Sequence, residues 1–142
     1  MTDGRGLVER LAAVPDRLAV AAATAPPPAP GEWSASEIVR HLIAVEQDVW
    51  LPRLAKLETE EHPRWEWAEP GPWPGEPDAT LAELLDRFRA LRAATLGRLA
   101  ALDEAGWART GTHQTFGELD VAGLMTKAID HDEEHIGGLA AD

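Results

Sequence analysis

Cysteine is missing from this 142-residue chain. That removes disulfides, thiolate metal sites and a cysteine nucleophile together. Any thiol chemistry would need a thiol carried in on a small molecule. No run of about eighteen apolar residues is present, so no transmembrane span is expected. The start, Met1-Thr2-Asp3-Gly4-Arg5-Gly6, lacks the basic end and apolar core of a signal peptide, and the expected location is the cytoplasm. Positive charge is scarce: 13 Lys and Arg stand against 25 Asp and Glu, a formal net charge of −12. So acidic a surface repels phosphate backbones and anionic lipid, which argues against nucleic acid or membrane as a partner. Alternating β-branched residues are nowhere sustained, so little strand is expected.

What the chain does have is helix-forming sequence. Apolar residues make up 44%, enough for a globular fold, and the length suits one domain over 1–142. Four helical segments stand out. The first, 3–25, places Leu7, Val8, Leu11, Val14 and Leu18 on one face and contains Pro15, which predicts a kink or restart. The run 26–31, Pro-Pro-Pro-Ala-Pro-Gly, ends it as a stiff linker. The second opens at Ser34, with Glu37 three residues on as a capping box. Its stripe is Ile38, Leu42, Val45 and Val49, and Pro52 should bend its last turn. The third spans 78–102, with Leu81, Leu84, Leu85, Phe88, Leu91, Thr95 and Leu99. The fourth runs from Asp120, as N-cap, to about Leu139. No strand is expected, and the simplest architecture is an all-α four-helix bundle.

Two connectors are long. Residues 58–78 carry His62, Trp65, Trp67 and Trp73, and a loop of that length in a compact domain is usually functional or mobile. Its tryptophans are expected to wall a pocket or a subunit contact, and Trp33 and Trp50 to be packing residues. The connector 103–117 carries Trp107, His113 and Phe116. His62 and His113 read as ordinary surface residues.

His131 and His135 are the main chemical clue. Four residues apart, they stack on one helical face, roughly 95° and 55° from the centre of the apolar stripe at about 100° per residue. His41 sits at the edge of the second segment's stripe. Three imidazoles from two helices can hold one divalent ion and leave positions for water or substrate. Surface histidines at this spacing also arise without a metal, and the acidic run 130–134 reads most simply as a solvated face. Asp132 falls near the centre of the apolar face, where a carboxylate needs a partner. A metal-bound imidazole donating its spare N–H would be one. Glu46 and Asp48 are candidate proton acceptors, Asp48 favoured because it follows His41 by two turns. The run His131-Asp132-Glu133-Glu134-His135 is not H-E-x-x-H, since Asp132 stands where the general-base glutamate belongs. It matches H-x-x-E-H, but that class draws its third ligand from well downstream, and a protease is not expected.

Gly31-Glu32-Trp33-Ser34 leading to Ile38-Val39-Arg40-His41-Leu42 and Val45-Glu46 resembles the second helix of the DinB-like superfamily. Thr112-His113-Gln114-Thr115-Phe116-Gly117, followed by His131-x-x-x-His135, resembles that family's end, and Phe88-Arg89-Ala90-Leu91-Arg92 fits its third helix. The resemblance extends from Leu7 to Leu139. It implies an up-up-down-down bundle, a homodimer, and a divalent metal (zinc or nickel) on His41, His131 and His135. Related enzymes are metal-dependent transferases or isomerases using mycothiol, bacillithiol or glutathione, and some are hydrolases. The expected activity is therefore S-transfer or hydrolysis on a small electrophilic substrate, with a low-molecular-weight thiol as possible co-substrate. The alternative is a non-catalytic metal- or ligand-binding stress-response protein. The linker 26–30 is shorter than the family pattern, which leaves the mouth of the pocket open to revision.

Overall fold

The structure, a computed structural model, describes residues 4–140. The first helix, α1 (Gly4–Ala23), is continuous through Pro15, so the expected restart does not occur; its expected first residue, Asp3, lies outside the described residues. Leu7, Leu11, Val14, Leu18 and Ala22 are buried at the three- and four-residue spacing of one helical face.

The second helical rod has three parts. Ser34 Oγ accepts from the Glu37 N–H and the Glu37 carboxylate accepts from the Ser34 N–H (3.2 and 2.9 Å), the predicted capping box. From that cap run α2 (Ala35–Val45), a π-helical turn (Glu46–Trp50) and α3 (Leu51–Thr59). The Leu51 N–H reaches back five residues to the Glu46 carbonyl. Pro52 has no N–H to continue the α ladder, and it sits in the first turn of α3, where none is needed. The bend expected late in this helix is thus a widened turn ahead of the proline. Such turns are frequent at functional sites.

The third long helix, α4 (Leu81–Ala100), starts three residues later than expected, because Thr80 and Glu83 form a second capping box. After the short α5 (Glu104–Trp107), α6 (Val121–Ala140) opens with the Asp120 side chain accepting from the Gly123 N–H at 2.7 Å, the predicted N-cap.

Long-range contacts set the helix directions. The N-terminal end of α1 meets Trp107 and the start of α6, and Arg17 meets Glu133, so α1 and α6 run parallel. Arg92 reaches the Leu11 carbonyl while Arg89 reaches Asp16, so α4 runs against α1. Ala35 and Ile38 lie by Gly138 and Leu139, while Trp50 lies by Lys127 and His131, so α2 runs against α6. The bundle is four-helical as expected, but its order is up-down-down-up and not up-up-down-down.

A small sheet was not expected. Residues Arg64–Trp65 (β1) pair in parallel with Thr110–His113 (β2), and β2 pairs antiparallel with Gly117–Asp120 (β3). Gly117 turns the hairpin at φ +80, a conformation that favours glycine. A Cβ on Gly111 would lie 2.7 Å from the Trp65 ring, so glycine is also what lets β1 and β2 close up. This sheet pins the start of the long connector to the start of α6. No described helix is long and apolar enough to cross a membrane.

Candidate metal centre

The bundle brings His41, His131 and His135 together and adds Glu69, with one ligand-type atom from each lying within 4.8 Å of the others. His41 is completely buried in the middle of α2. Its Nδ1–H donates to the Pro70 carbonyl at 2.8 Å. A carbonyl can only accept, so the neutral ring turns its Nε2 lone pair inward. That Nε2 stands 3.2 Å from His131 Nε2 and 3.1 Å from a Glu69 oxygen, and the same oxygen is 3.3 Å from His131 Nε2. His135 completes the group, its ring centroid 4.6 Å from those of both other histidines.

Three electron-rich atoms held this close repel unless a proton or a cation lies between them. A tetrahedral ion with bonds of about 2.0–2.1 Å has ligand-to-ligand edges near 3.3 Å, so these spacings fit one. Burial, followed by His131, holds His41 below its ordinary pKa. Burial, with His131 and then His41, pushes His135 down to about 4. Both rings are therefore neutral near pH 7, the form that ligates. His131 Nδ1 is buried with no hydrogen-bond partner among the described residues.

The three carboxylates assigned catalytic parts are placed differently from expectation. Asp132 is buried, but its Oδ2 accepts from Arg92 at 2.8 Å rather than from an imidazole. Arg92 also donates twice to Glu46, at 2.9 Å each, and the Thr95 hydroxyl donates to Glu46 at 2.7 Å. Two buried carboxylates thus share one guanidinium. Desolvation pushes Asp132 up to about 7, against the pull of Arg92; with both acids ionised, one net negative charge would be buried. Burial opposes the charge on Arg92, yet Glu46 and Asp132 outweigh it and hold its pKa above the usual value. Glu46 therefore has its oxygens engaged away from the histidines. Asp48 is exposed, accepts from Gln47, and lines a separate cavity with Lys56 and Arg64. Asp48 lies within the π turn, and the cavity it lines holds none of the three histidines.

Two residues that sequence reasoning missed border the cluster. Glu69 has no local pattern to reveal it, because its role comes from loop placement. His113, read as a surface residue, is buried at the end of β2 and accepts from the Thr115 and Phe116 N–H groups through Nδ1. It lines a cavity of ≈ 220 Å³ with Trp50, Trp67, Phe116, Lys127, Glu69 and His131. Trp33, expected to be packed, is 39% exposed and lies with its ring 4.9 Å from that of His41. It borders a wider cleft of ≈ 680 Å³ that His135 and the linker 26–29 also line. The cluster thus lies between two openings. A third cleft, ≈ 540 Å³ between α1 and Trp107, touches none of its residues.

No curated protein matches the chain. Among solved structures, YfiT from Bacillus subtilis superposes with a TM-score of 0.76 at 19% identity, covering 98% of this chain and 86% of its own. YfiT is described as a probable metal-dependent hydrolase with an unusual four-helix bundle topology; at this identity the likeness carries the fold. Residues 6–139 match the DinB superfamily, nearly the whole described chain, and the protein belongs to that family.

Proposed function

We propose that this chain is a metal-dependent enzyme acting on a small electrophilic molecule, by hydrolysis or by transfer to a low-molecular-weight thiol. The observation that carries the reading is the convergence of three imidazoles and a carboxylate beside a cavity of ≈ 220 Å³. His41, His131 and His135 would hold the ion, with zinc or nickel suiting an imidazole set. When bound, such an ion lowers the pKa of a coordinated water or thiol, making the anion available near neutral pH.

The protein's own residues set the conditions. Pro70 fixes the tautomer and plane of the His41 ring. The Arg92 network holds α6 against the π turn next to His131, so Glu46 and Asp132 act as positioning groups in this proposal. Trp50, Trp67 and Phe116 give the cavity apolar walls that limit water, and Lys127 places a cation 4.3 Å from the Phe116 ring. The absence of cysteine is consistent with an externally supplied thiol and equally with plain hydrolysis. The hydrolase description of YfiT favours the second.

A non-catalytic metal-binding protein is the competing reading. A structural site is closed by its ligands, whereas His131 and Glu69 here face a cavity. Elemental analysis of tag-free protein is expected to find one divalent ion per chain. Alanine at His41, His131 or His135 should abolish its retention, and alanine at His62 should not. Equal loss from all four variants would indicate unspecific chelation and defeat the proposal. Screening metal-loaded protein against ester, amide and thiol-acceptor substrates then separates hydrolase from transferase.

A further inference from the structure

Building on the metal-site reading above, we propose that Glu69 is an exchangeable fourth ligand: its carboxylate closes the open coordination position until an anionic donor atom of the substrate replaces it. The histidines come from rigid helices, but Glu69 comes from the long connector, and its side chain is 44% exposed. One carboxylate oxygen nevertheless lies 3.1 and 3.3 Å from two ligand nitrogens, where a fourth ligand belongs.

The connector is tied down on both sides of this residue. Upstream, the Glu66 carbonyl accepts from Arg53 at 2.8 Å, and β1 is paired in the sheet. Downstream, Arg40 donates to the carbonyls of Trp73, Gly75 and Glu76, and the Trp73 N–H returns to the Arg40 carbonyl. Arg87 packs 3.9 Å over the Trp73 ring. The next residue along, Pro70, binds His41 directly. Between these anchors the backbone can stay in place and keep its hold on His41 while the Glu69 side chain alone rotates away. Ligand exchange therefore leaves the three-histidine set intact.

Glu69 and His131 line the same ≈ 220 Å³ cavity, so a molecule entering there meets the carboxylate first. A tethered group competes at an effective concentration of roughly millimolar or more. A neutral, weakly coordinating group cannot displace it; a thiolate, hydroxamate or carboxylate can. Lys127 and Arg53 line that cavity together with Asp130 and Glu134, so its wall adds no net charge and the selection rests on ligation to the ion. The selected ligand class is a small molecule with an anionic oxygen or sulfur donor and an apolar body.

The test uses the full chain loaded with cobalt(II), whose visible absorption reports coordination, titrated with azide as the anionic probe. Glu69→Ala and Glu69→Gln should both keep cobalt but change its spectrum, and both should bind azide roughly tenfold or more tightly than the parent. His41→Ala should lose the metal. Spectra and azide affinities identical to the parent's would overturn the role of Glu69 while leaving the three-histidine site standing. Loss of cobalt from both Glu69 variants would make Glu69 a permanent ligand and overturn the exchange. A parent chain that takes up no cobalt would sink the metal reading itself, and this inference with it.

Discussion

Arg92 is the residue whose removal should hurt most. It is 1% exposed, and its guanidinium serves Glu46, Asp132 and the Leu11 carbonyl, joining α1, the π turn, α4 and α6. Replacing it leaves two buried carboxylates without their cation, and such losses cost about 3–5 kcal/mol. Arg92→Met should show that loss in urea unfolding at pH 7; a change under about 1 kcal/mol would mean that water reaches the pair. This network was half legible. Asp132 on an apolar face announced a buried partner, and Arg92 sits on the α4 face one turn from Phe88 and Thr95, but the distance between them in sequence hid the pairing. The depressed histidines give a pH prediction. An unfolded imidazole takes its proton near pH 6.5, whereas folded His135 does so only near pH 4. Between these values the unfolded chain binds more protons, so stability present above about pH 6.5 falls as the pH drops through that window. With metal removed by chelator, His135→Gln should show a shallower decline in unfolding midpoint from pH 7 to pH 4 than the parent. Superimposable slopes would place His135 in solvent.

At the scale of elements, caps and apolar periodicity made the four long helices readable, because both are local and repeat within a turn or two. Ser34 is the clearest case. Its capping box starts the helix that carries His41 two turns on, and Ser34→Ala should destabilise the fold by about 1 kcal/mol. No change in thermal or urea unfolding would mean that packing alone fixes the start of α2. The equivalent box at Thr80 and Glu83 obeys the same rule and could have been found by it. The sheet could not. Its three strands have two to four residues each, and Thr-Gly-Thr-His carries no apolar alternation to detect. Its β1–β2 pairing depends on the missing side chain at Gly111, where the Trp65 ring lies. The π turn was hidden too, since Pro52 signals a disturbed ladder without saying whether the helix bends, breaks or widens. Asp48 lies in that turn and lines a cavity without the histidines.

The whole molecule joins a rigid histidine set to a connector that carries its accessory parts, and the three connector tryptophans show how unlike those parts are. Trp65 is buried in the core. Trp73 is held between Arg40 and Arg87 and anchors the connector. Trp67 alone is largely exposed, at 56%, with Phe116 beside it at a centroid distance of 6.0 Å and His113 at 6.4 Å. A single substitution there separates the two uses of exposed aromatic surface that the sequence left open. If Trp67 walls the cavity beside Glu69, Trp67→Ala should leave helicity, metal content and assembly unchanged. It should weaken binding of an aromatic hydroxamate to the cobalt-loaded chain by about tenfold, the scale of a lost aromatic contact. If it serves instead as a contact between copies of the chain, the variant should sediment as a smaller species with hydroxamate affinity intact. The ring contacts with His113 and Phe116, both of which also line the cavity, favour the first outcome. A variant matching the parent in both assays would show that neither the cavity nor assembly depends on this ring.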